Sequence, residues 1–198
     1  MSKLPNGNGE TLNRNSKHPS AALKSTRWCV ITGAPCSGKT AVIEGLGQRG
    51  YRVIPEAARA YIDSQLAAGR TLQEIKADPL SFERLILTRK VQLESSLPAS
   101  DLIFLDRGIP DSIAYFQLEN LPITEPLLYS RNVRYAKVFL FDRLHFETDS
   151  VRAENSAMAA HIETLLISCY QALGYAMTRV PVMPIEQRIQ WVARQALR

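Results

Sequence analysis

The chain is poor in cysteine and histidine, with 3 of each in 198 residues. Cys29, Cys36 and Cys169 form an odd, scattered set. They exclude a disulfide framework and make a reducing cytoplasm the expected location. His18, His145 and His161 stand apart from each other and from the cysteines, so no zinc-ligand spacing occurs. Apolar runs are short. None approaches the roughly 18 residues that read as a membrane-spanning helix, and Met1–Glu10 lacks the apolar stretch of a secretory signal. There is no G-x-S-x-G elbow and no Asn-Lys-x-Asp element for reading guanine. Glycine and proline, at 10 and 11 residues, are too few for a collagenous or low-complexity chain. Apolar residues make up 45% of the chain, enough for one buried core.

The net charge of +5 would ordinarily suggest a polyanion as partner. Its distribution argues otherwise. Lys3, Arg14, Lys17, Lys24 and Arg27 face a single acid, Glu10, so residues 1–27 carry +4 and the rest of the chain only +1. The same segment is rich in Asn, Gly and Ser, and its few apolar residues cannot offset the entropy of ordering. Residues 1–25 are therefore expected to be a disordered basic tail, and residues 26–198 one domain. The tail has no run of consecutive cations and no aromatic residue to stack on bases, so stable nucleic-acid binding is not expected.

From residue 28 onward, short apolar runs alternate with longer amphipathic stretches. Trp28–Thr32, Tyr51–Pro55, Leu102–Leu105, Val138–Phe141 and Tyr175–Val180 read as strands, the uninterrupted runs suiting burial on both faces. Helices are expected over Thr40–Gln48, Ala57–Ala68, Leu72–Asp78, Leu80–Ser95, Pro110–Glu119, a short piece from Glu125, Ala153–Leu173 and Pro184–Leu197. On the long fourth helix the apolar face is read as Phe82, Leu85, Ile86, Val91 and Leu93. Strands separated by helices imply a parallel sheet covered on both faces by right-handed crossovers.

Gly33-Ala34-Pro35-Cys36-Ser37-Gly38-Lys39-Thr40 matches G-x-x-x-x-G-K-[ST] between the first strand and the first helix. Backbone N–H groups of such a loop point at phosphate oxygens, and the helix N-terminus adds its positive end. Lys39 brings a point charge to the β- and γ-phosphates, and Thr40 offers a hydroxyl to Mg²⁺. Asp106 closes the third strand where a carboxylate can orient the same Mg²⁺, with Arg107 after it to grip phosphate or substrate. No second acid adjoins Asp106, so the Asp-Glu pair of many mechanical ATPases is absent. Glu56, after the second strand, has two readings: a base accepting the proton of an attacking hydroxyl, or a helix N-terminal acid paired with Arg59 on the surface. In the first reading Arg59 holds an anionic or polar acceptor. The polar stretch after Phe141 holds Arg143 and Arg152, which suit a mobile arginine-bearing lid or, equally, a solvated loop.

Three segments, GAPCSGKT, VIPEAARA and LIFLDRGIPDSIAYF, together resemble the AAA-domain ATPase or kinase-like P-loop family of small bacterial proteins. The likeness extends from about residue 27 to the C-terminus and includes the V-P-x-x-P-x-E-x-R run ending at Arg188. The plan is also similar to nucleoside and nucleoside-monophosphate kinases. That resemblance implies a three-layer α/β/α fold with a five-stranded parallel sheet in the order 2-3-1-4-5, and an adenine pocket near Pro181–Pro184. It places Glu56 where such kinases carry their base, and Asp106-Arg107 at their acid-arginine motif. Arg59, Arg107 and Asp111, with Glu56, are the expected acceptor-binding residues. The function implied is ATP- and Mg²⁺-dependent phosphoryl transfer to a small-molecule acceptor. An ATPase or GTPase switch, or a nucleotide-binding regulatory module with no acceptor but water, is the alternative, and GTP stays open beside ATP.

Overall fold

Each apolar run becomes a strand of one parallel sheet. The computed structural model describes residues 23–144 and 150–198, and the side chains of all of these except residues 150–155. In chain order the elements are β1 (Lys24–Ser25), β2 (Cys29–Thr32), α1 (Lys39–Gln48), β3 (Arg52–Ile54), α2 (Ala57–Ala67), α3 (Leu72–Ile75), α4 (Pro79–Ser96), β4 (Ile103–Asp106), α5 (Ile109–Leu118), α6 (Thr124–Ser130), β5 (Val133–Arg134), β6 (Lys137–Phe141), α7 (Ser150–Ala172), β7 (Met177–Val180) and α8 (Ile185–Ala196). The main sheet runs β3-β4-β2-β6-β7, all parallel. Counting its strands from the N-terminus gives the order 2-3-1-4-5. Central β2 is in register with Phe104–Asp106 on one side and Lys137–Leu140 on the other.

Strand periodicity sorts the core into two layers. Cys29, Ile31, Phe104, Phe139 and Phe141 pack with Val42, Ile43 and Leu46 of α1 and Ile189 and Val192 of α8. Their neighbours Trp28, Val30, Ile103, Leu105 and Val138 face the other way, against Leu97, Tyr135, Tyr170 and Tyr175. The second face is thickened by α5 against α7, through Ile113, Ala114, Ile162 and Leu166. Helix α4 starts at Pro79, with the Asp78 carboxylate accepting from the Ser81 N–H at 3.2 Å.

Two short elements depart from the expected plan. Lys24–Ser25, assigned from composition to the tail, pairs in parallel with Val133–Arg134 as a separate two-stranded sheet. Lys24 is anchored there. Its ammonium donates to the carbonyls of Glu94 and Leu97 at 3.1 and 2.9 Å and lies over the Trp28 ring. Residues 1–22 lie outside the described residues. Helix α4 also buries a different face from the one expected: Glu83, Leu87, Lys90 and Glu94 are enclosed with Phe82 and Ile86, while Leu85, Val91 and Leu93 are only half-buried.

Glu94 carries a testable pH dependence. It is 3% exposed and its only side-chain donor among the described residues is the Tyr135 hydroxyl, at 2.8 Å from Oε2. Burial pushes its carboxyl up to about 7, against the opposing pull of that hydrogen bond and of Lys90. The folded state thus holds this proton more tightly than the unfolded chain, whose value is 4.5. Its contribution to stability is complete below pH 4.5 and is lost as pH rises through 7. Glu94→Gln keeps an oxygen for Tyr135 and removes the charge. It should raise stability at pH 8 by on the order of 2–3 kcal/mol and leave stability at pH 4 nearly unchanged, measured by urea unfolding. An equal gain at both pH values would show that ionisation is not the cause.

Candidate functional site

The phosphate loop leaves β2 at Gly33, whose φ of 142° and tight seat against β6 suit no other residue. A Cβ there would lie 2.8 Å from the Phe141 carbonyl oxygen. Cys36 and Gly38 turn the loop with φ of 59° and 79°. Helix α1 then begins with no side-chain cap and no acid in its first turn. Its leading N–H groups are therefore not spent on a side chain, which suits an anion. Lys39 curls back over the loop, donating to the Ala34 carbonyl at 2.8 Å and to Ser37 Oγ at 3.0 Å. Burial first, and then the Arg107 guanidinium, pull its ammonium below the usual lysine range. Thr40, next along, is exposed.

Arg188 on α8 holds the loop from behind. Nη1 donates to the Ser37 carbonyl at 2.6 Å, Nη2 to the Asp142 and Val180 carbonyls at 3.0 and 3.1 Å, and Nε to Pro181 at 2.9 Å. The guanidinium lies over the Phe141 ring, and the residue is 2% exposed. One side chain thus ties the loop to the ends of β6 and β7 and to the Pro181–Pro184 connection.

At the end of β4, Asp106 is buried and its Oδ1 has no hydrogen-bond partner among the described residues. Burial, reinforced by the Glu56 charge, raises its carboxyl above the usual range. Arg107 follows in the left-handed region, at φ 68°, an uncommon conformation for a residue with a side chain. It is held there by its N–H to the Ile31 carbonyl at 3.0 Å and by two carboxylates. Nε donates to Glu56 Oε1 and Nη1 to Asp111 Oδ1, both at 3.1 Å, and the guanidinium lies over the Tyr115 ring. Glu56, the N-cap position of α2, therefore pairs with Arg107 and not with Arg59.

Asp111 does not reach the substrate side. It is 0% exposed and its oxygens accept from Thr32 Oγ1, Arg107 Nη1, the Gly108 N–H and the Tyr170 hydroxyl. A fully desolvated carboxylate requires such donors. The expectation of an acceptor-binding Asp111 is thus corrected to a support beneath Arg107.

Lys39, Thr40, Glu56, Arg59 and Arg107 line one cavity of about 460 Å³. Its other walls come from α2, α4, α5 and α7, with Ile62, Phe82, Ile86 and Ile162 supplying apolar surface. Tyr115, Glu83 and Lys90 also line it. The size and mixed lining suit a small molecule. Lys90 is anchored beside Arg107, its ammonium donating to the Gly108 carbonyl at 3.2 Å and to Ser112 Oγ at 3.0 Å. Sequence reading missed Glu83, Lys90 and Tyr115, and met Arg188 only as the end of the V-P-x-x-P-x-E-x-R run, with no role. The available signal was charge recurring at positions 83, 90 and 94 around Leu87, at the spacing of one helical face.

Arg143 points elsewhere. It donates to the Ser156 carbonyl and hydroxyl at 2.9 and 3.2 Å and lies 3.7 Å from Glu163. Arg152 is on α7 with its side chain outside the described residues, as is the segment 145–149 between them. Thr40 and Asp106 are the residues available for a cation. No group of three His, Cys, Asp or Glu side chains is gathered for one among the described residues.

No curated protein matches the sequence. Among solved structures, NadR in complex with NR superposes with a TM-score of 0.63 at 18% identity, covering 87% of this chain and 50% of that one. The chain thus spans about half the length of the NadR structures it resembles. Thymidylate kinase from Ehrlichia chaffeensis superposes with a TM-score of 0.60 at 13% identity, over 86% of this chain and 98% of the kinase. Deoxyadenosine kinase from M. mycoides, with dCMP bound as product, gives 0.52 at 13% identity, over 85% and 97%. At these identities the likeness is one of fold, a P-loop kinase-like α/β/α sandwich. The family model of the AAA domain matches residues 28–188, from β2 to the arginine that braces the phosphate loop, and the chain belongs to that family.

Proposed function

We propose that the chain is an ATP- and Mg²⁺-dependent phosphotransferase whose acceptor is a hydroxyl-bearing small molecule, with nucleosides and nucleotides the foremost class. The observation that carries this reading is the cavity. Of about 460 Å³ in all, it is lined by the phosphate loop at Pro35, Cys36, Lys39 and Thr40, by Glu56, and by apolar and charged residues of α2, α4 and α5, more room than a phosphate group and a hydrolytic water need. The ligands in two of the structural neighbours, NR and dCMP, are of that class.

In this reading Lys39 meets the β- and γ-phosphates, and Arg107 aims the Glu56 carboxylate at the acceptor. The acceptor hydroxyl gives its proton to Glu56 as its oxygen bonds the γ-phosphorus, and the bond from that phosphorus to the bridging oxygen of the departing diphosphate breaks. Arg59, at the cavity wall, would neutralise an anionic acceptor. Thr40 and the unpartnered oxygen of Asp106 fit a Mg²⁺ that keeps most of its shell as water and phosphate oxygens. Bound there, Mg²⁺ supplies charge neutralisation on the phosphates. Arg143 and Arg152 are the proposed lid cations, Arg143 having to leave Ser156 and Glu163 to reach the phosphates, and Pro181–Pro184 is the proposed adenine side.

The test is the fate of label from γ-labelled ATP, with MgCl₂ and a panel of nucleosides, nucleotides and sugars. Label is expected on an acceptor, at a rate well above its release as inorganic phosphate. Release to water alone, whatever acceptor is added, would replace the kinase reading with that of an NTPase.

A further inference from the structure

Two carbonyls of the phosphate loop are gripped by donors that the transfer chemistry does not use. The Leu144 N–H donates to the Cys36 carbonyl at 3.3 Å, and Arg188 Nη1 donates to the Ser37 carbonyl at 2.6 Å. A peptide unit is planar and trans, so its carbonyl and its N–H point in opposite directions. Holding the Cys36 carbonyl therefore fixes the Ser37 N–H, and holding the Ser37 carbonyl fixes the Gly38 N–H. Among the described residues neither N–H donates to a carbonyl. Ser37 stands between two left-handed residues, Cys36 and Gly38, at φ of 59° and 79°. For Cys36 that backbone is costly, and such a conformation lasts only where its surroundings over-determine it. Arg188 supplies much of that constraint. It is 2% exposed, and all four of its hydrogen bonds go to backbone carbonyls. A Cβ added to Gly38 would lie 3.2 Å from Nη1, so the guanidinium is seated against the turn itself.

We propose that Arg188 is a positioning residue for the nucleotide's polyphosphate. By clamping the Ser37 carbonyl it sets the Gly38 N–H, beside the Ser37 N–H set by Leu144, to receive phosphate oxygens. Buried as it is, Arg188 acts on the nucleotide through the loop and not by contact. The inference rests on the nucleotide-binding part of the reading above and is independent of what accepts the phosphoryl group. Two effects add. The clamp removes the loop's freedom before the anion arrives, so less order has to be imposed on binding. A cation on the Ser37 carbonyl also polarises that peptide, which strengthens the N–H at its other end as a donor. The planar fork is essential to the first effect. Its nitrogens meet carbonyls of the loop, of Asp142 after β6, and of Val180 and Pro181 at the end of β7. A lysine keeps the charge, but its three donors share one nitrogen and cannot span those positions.

The test compares the full chain with Arg188→Lys, at a temperature where urea unfolding shows both to be folded. The probes are a non-hydrolysable ATP analogue and inorganic triphosphate, each with Mg²⁺, and binding is measured by calorimetry. Inorganic triphosphate has no base, so it reports the phosphate loop apart from the Pro181–Pro184 side that Arg188 also touches. Wild type is expected to bind both probes, and the variant to lose more than tenfold in affinity for both, by similar factors. In amide NMR spectra of the wild type, inorganic triphosphate should move the Ser37 and Gly38 N–H resonances downfield. In the variant the Gly38 shift should be smaller at saturation, which a loss of overall stability would not produce. Unchanged affinity for inorganic triphosphate, or a loss confined to the ATP analogue, would overturn the proposal. So would wild-type Ser37 and Gly38 resonances that ignore triphosphate, a measurement that needs no variant. Failure of wild type to bind either probe would overturn the nucleotide reading and the proposal together. Loss of both probes in Arg188→Lys, with wild type passing label only to water, would support the proposal and count against the kinase reading alone.

Discussion

Glu56→Gln is expected to lower the rate of phosphoryl transfer about 10²–10⁴-fold while affinity for ATP stays within a few-fold of wild type. The carboxylate is well placed for a base. It stands at the N-terminus of α2, lines the cavity beside Lys39 and Thr40, and spends Oε1 on Arg107 at 3.1 Å. Glutamine preserves the shape and can still accept from Arg107 Nε through its amide oxygen. It cannot take a proton from the acceptor at neutral pH. The loss should therefore appear in kcat and not in nucleotide binding, the signature of an interaction made in the transition state. Single-turnover transfer with labelled ATP, beside equilibrium binding of a fluorescent ATP analogue, separates the two. A fall in ATP affinity to match the fall in rate would make Glu56 a nucleotide ligand. An unchanged rate would leave the transfer mechanism without its base.

How far the site could be read from the sequence depended on how local each part is. The phosphate loop is eight consecutive residues whose spacing carries its own geometry, and strand β4 announces Asp106 by ending an apolar run. The inner strands β2, β4 and β6 were legible because burial on both faces leaves them nearly free of polar residues, while the edge strands β3 and β7 each keep an exposed arginine in a short apolar run. Lys24–Ser25 and Val133–Arg134 were not, since two residues have no period to detect. Helix α4 misled because its buried face is half charged. Leu85, Val91 and Leu93 look like the inner stripe until Glu83, Lys90 and Glu94 are seen enclosed, with Lys90 satisfied by Ser112 and the Gly108 carbonyl and Glu94 by Tyr135. The partner of Glu56 was equally out of reach. Arg59 is near in sequence, but Arg107 arrives from the neighbouring strand and takes the contact. Arg188 is the extreme case, meeting the Ser37 carbonyl 151 residues away.

Asp111→Ala should cost about 3–5 kcal/mol of stability, the usual penalty for breaking a buried ion pair by removing one partner. The carboxylate gathers Thr32 and Tyr170, each at 2.6 Å, with Gly108 and Arg107 at 3.0 and 3.1 Å. These come from the end of β2 just before the phosphate loop, from α7, and from the turn that begins α5. Alanine would leave two hydroxyls and part of a buried guanidinium unpaired. Arg107 would keep Glu56 as its one ion-pair partner and lose one of the two carboxylates that hold its left-handed backbone. The pH dependence has a definite sign. Burial alone would raise the Asp111 carboxyl, but Arg107, Lys90 and the two hydroxyls outweigh it and hold it below its ordinary 3.8. Its contribution is therefore present above pH 3.8 and is lost only as pH falls through the lower folded value. The difference between wild type and Asp111→Ala should shrink as pH falls below 3.8, as followed by urea unfolding. Tyr170→Phe, which removes one donor and leaves the charge pair, should cost about 1 kcal/mol. A loss below 1 kcal/mol for the alanine variant would mean that the four donors are satisfied without Asp111. Its function as the support that aims Arg107 at Glu56 would then fall with it.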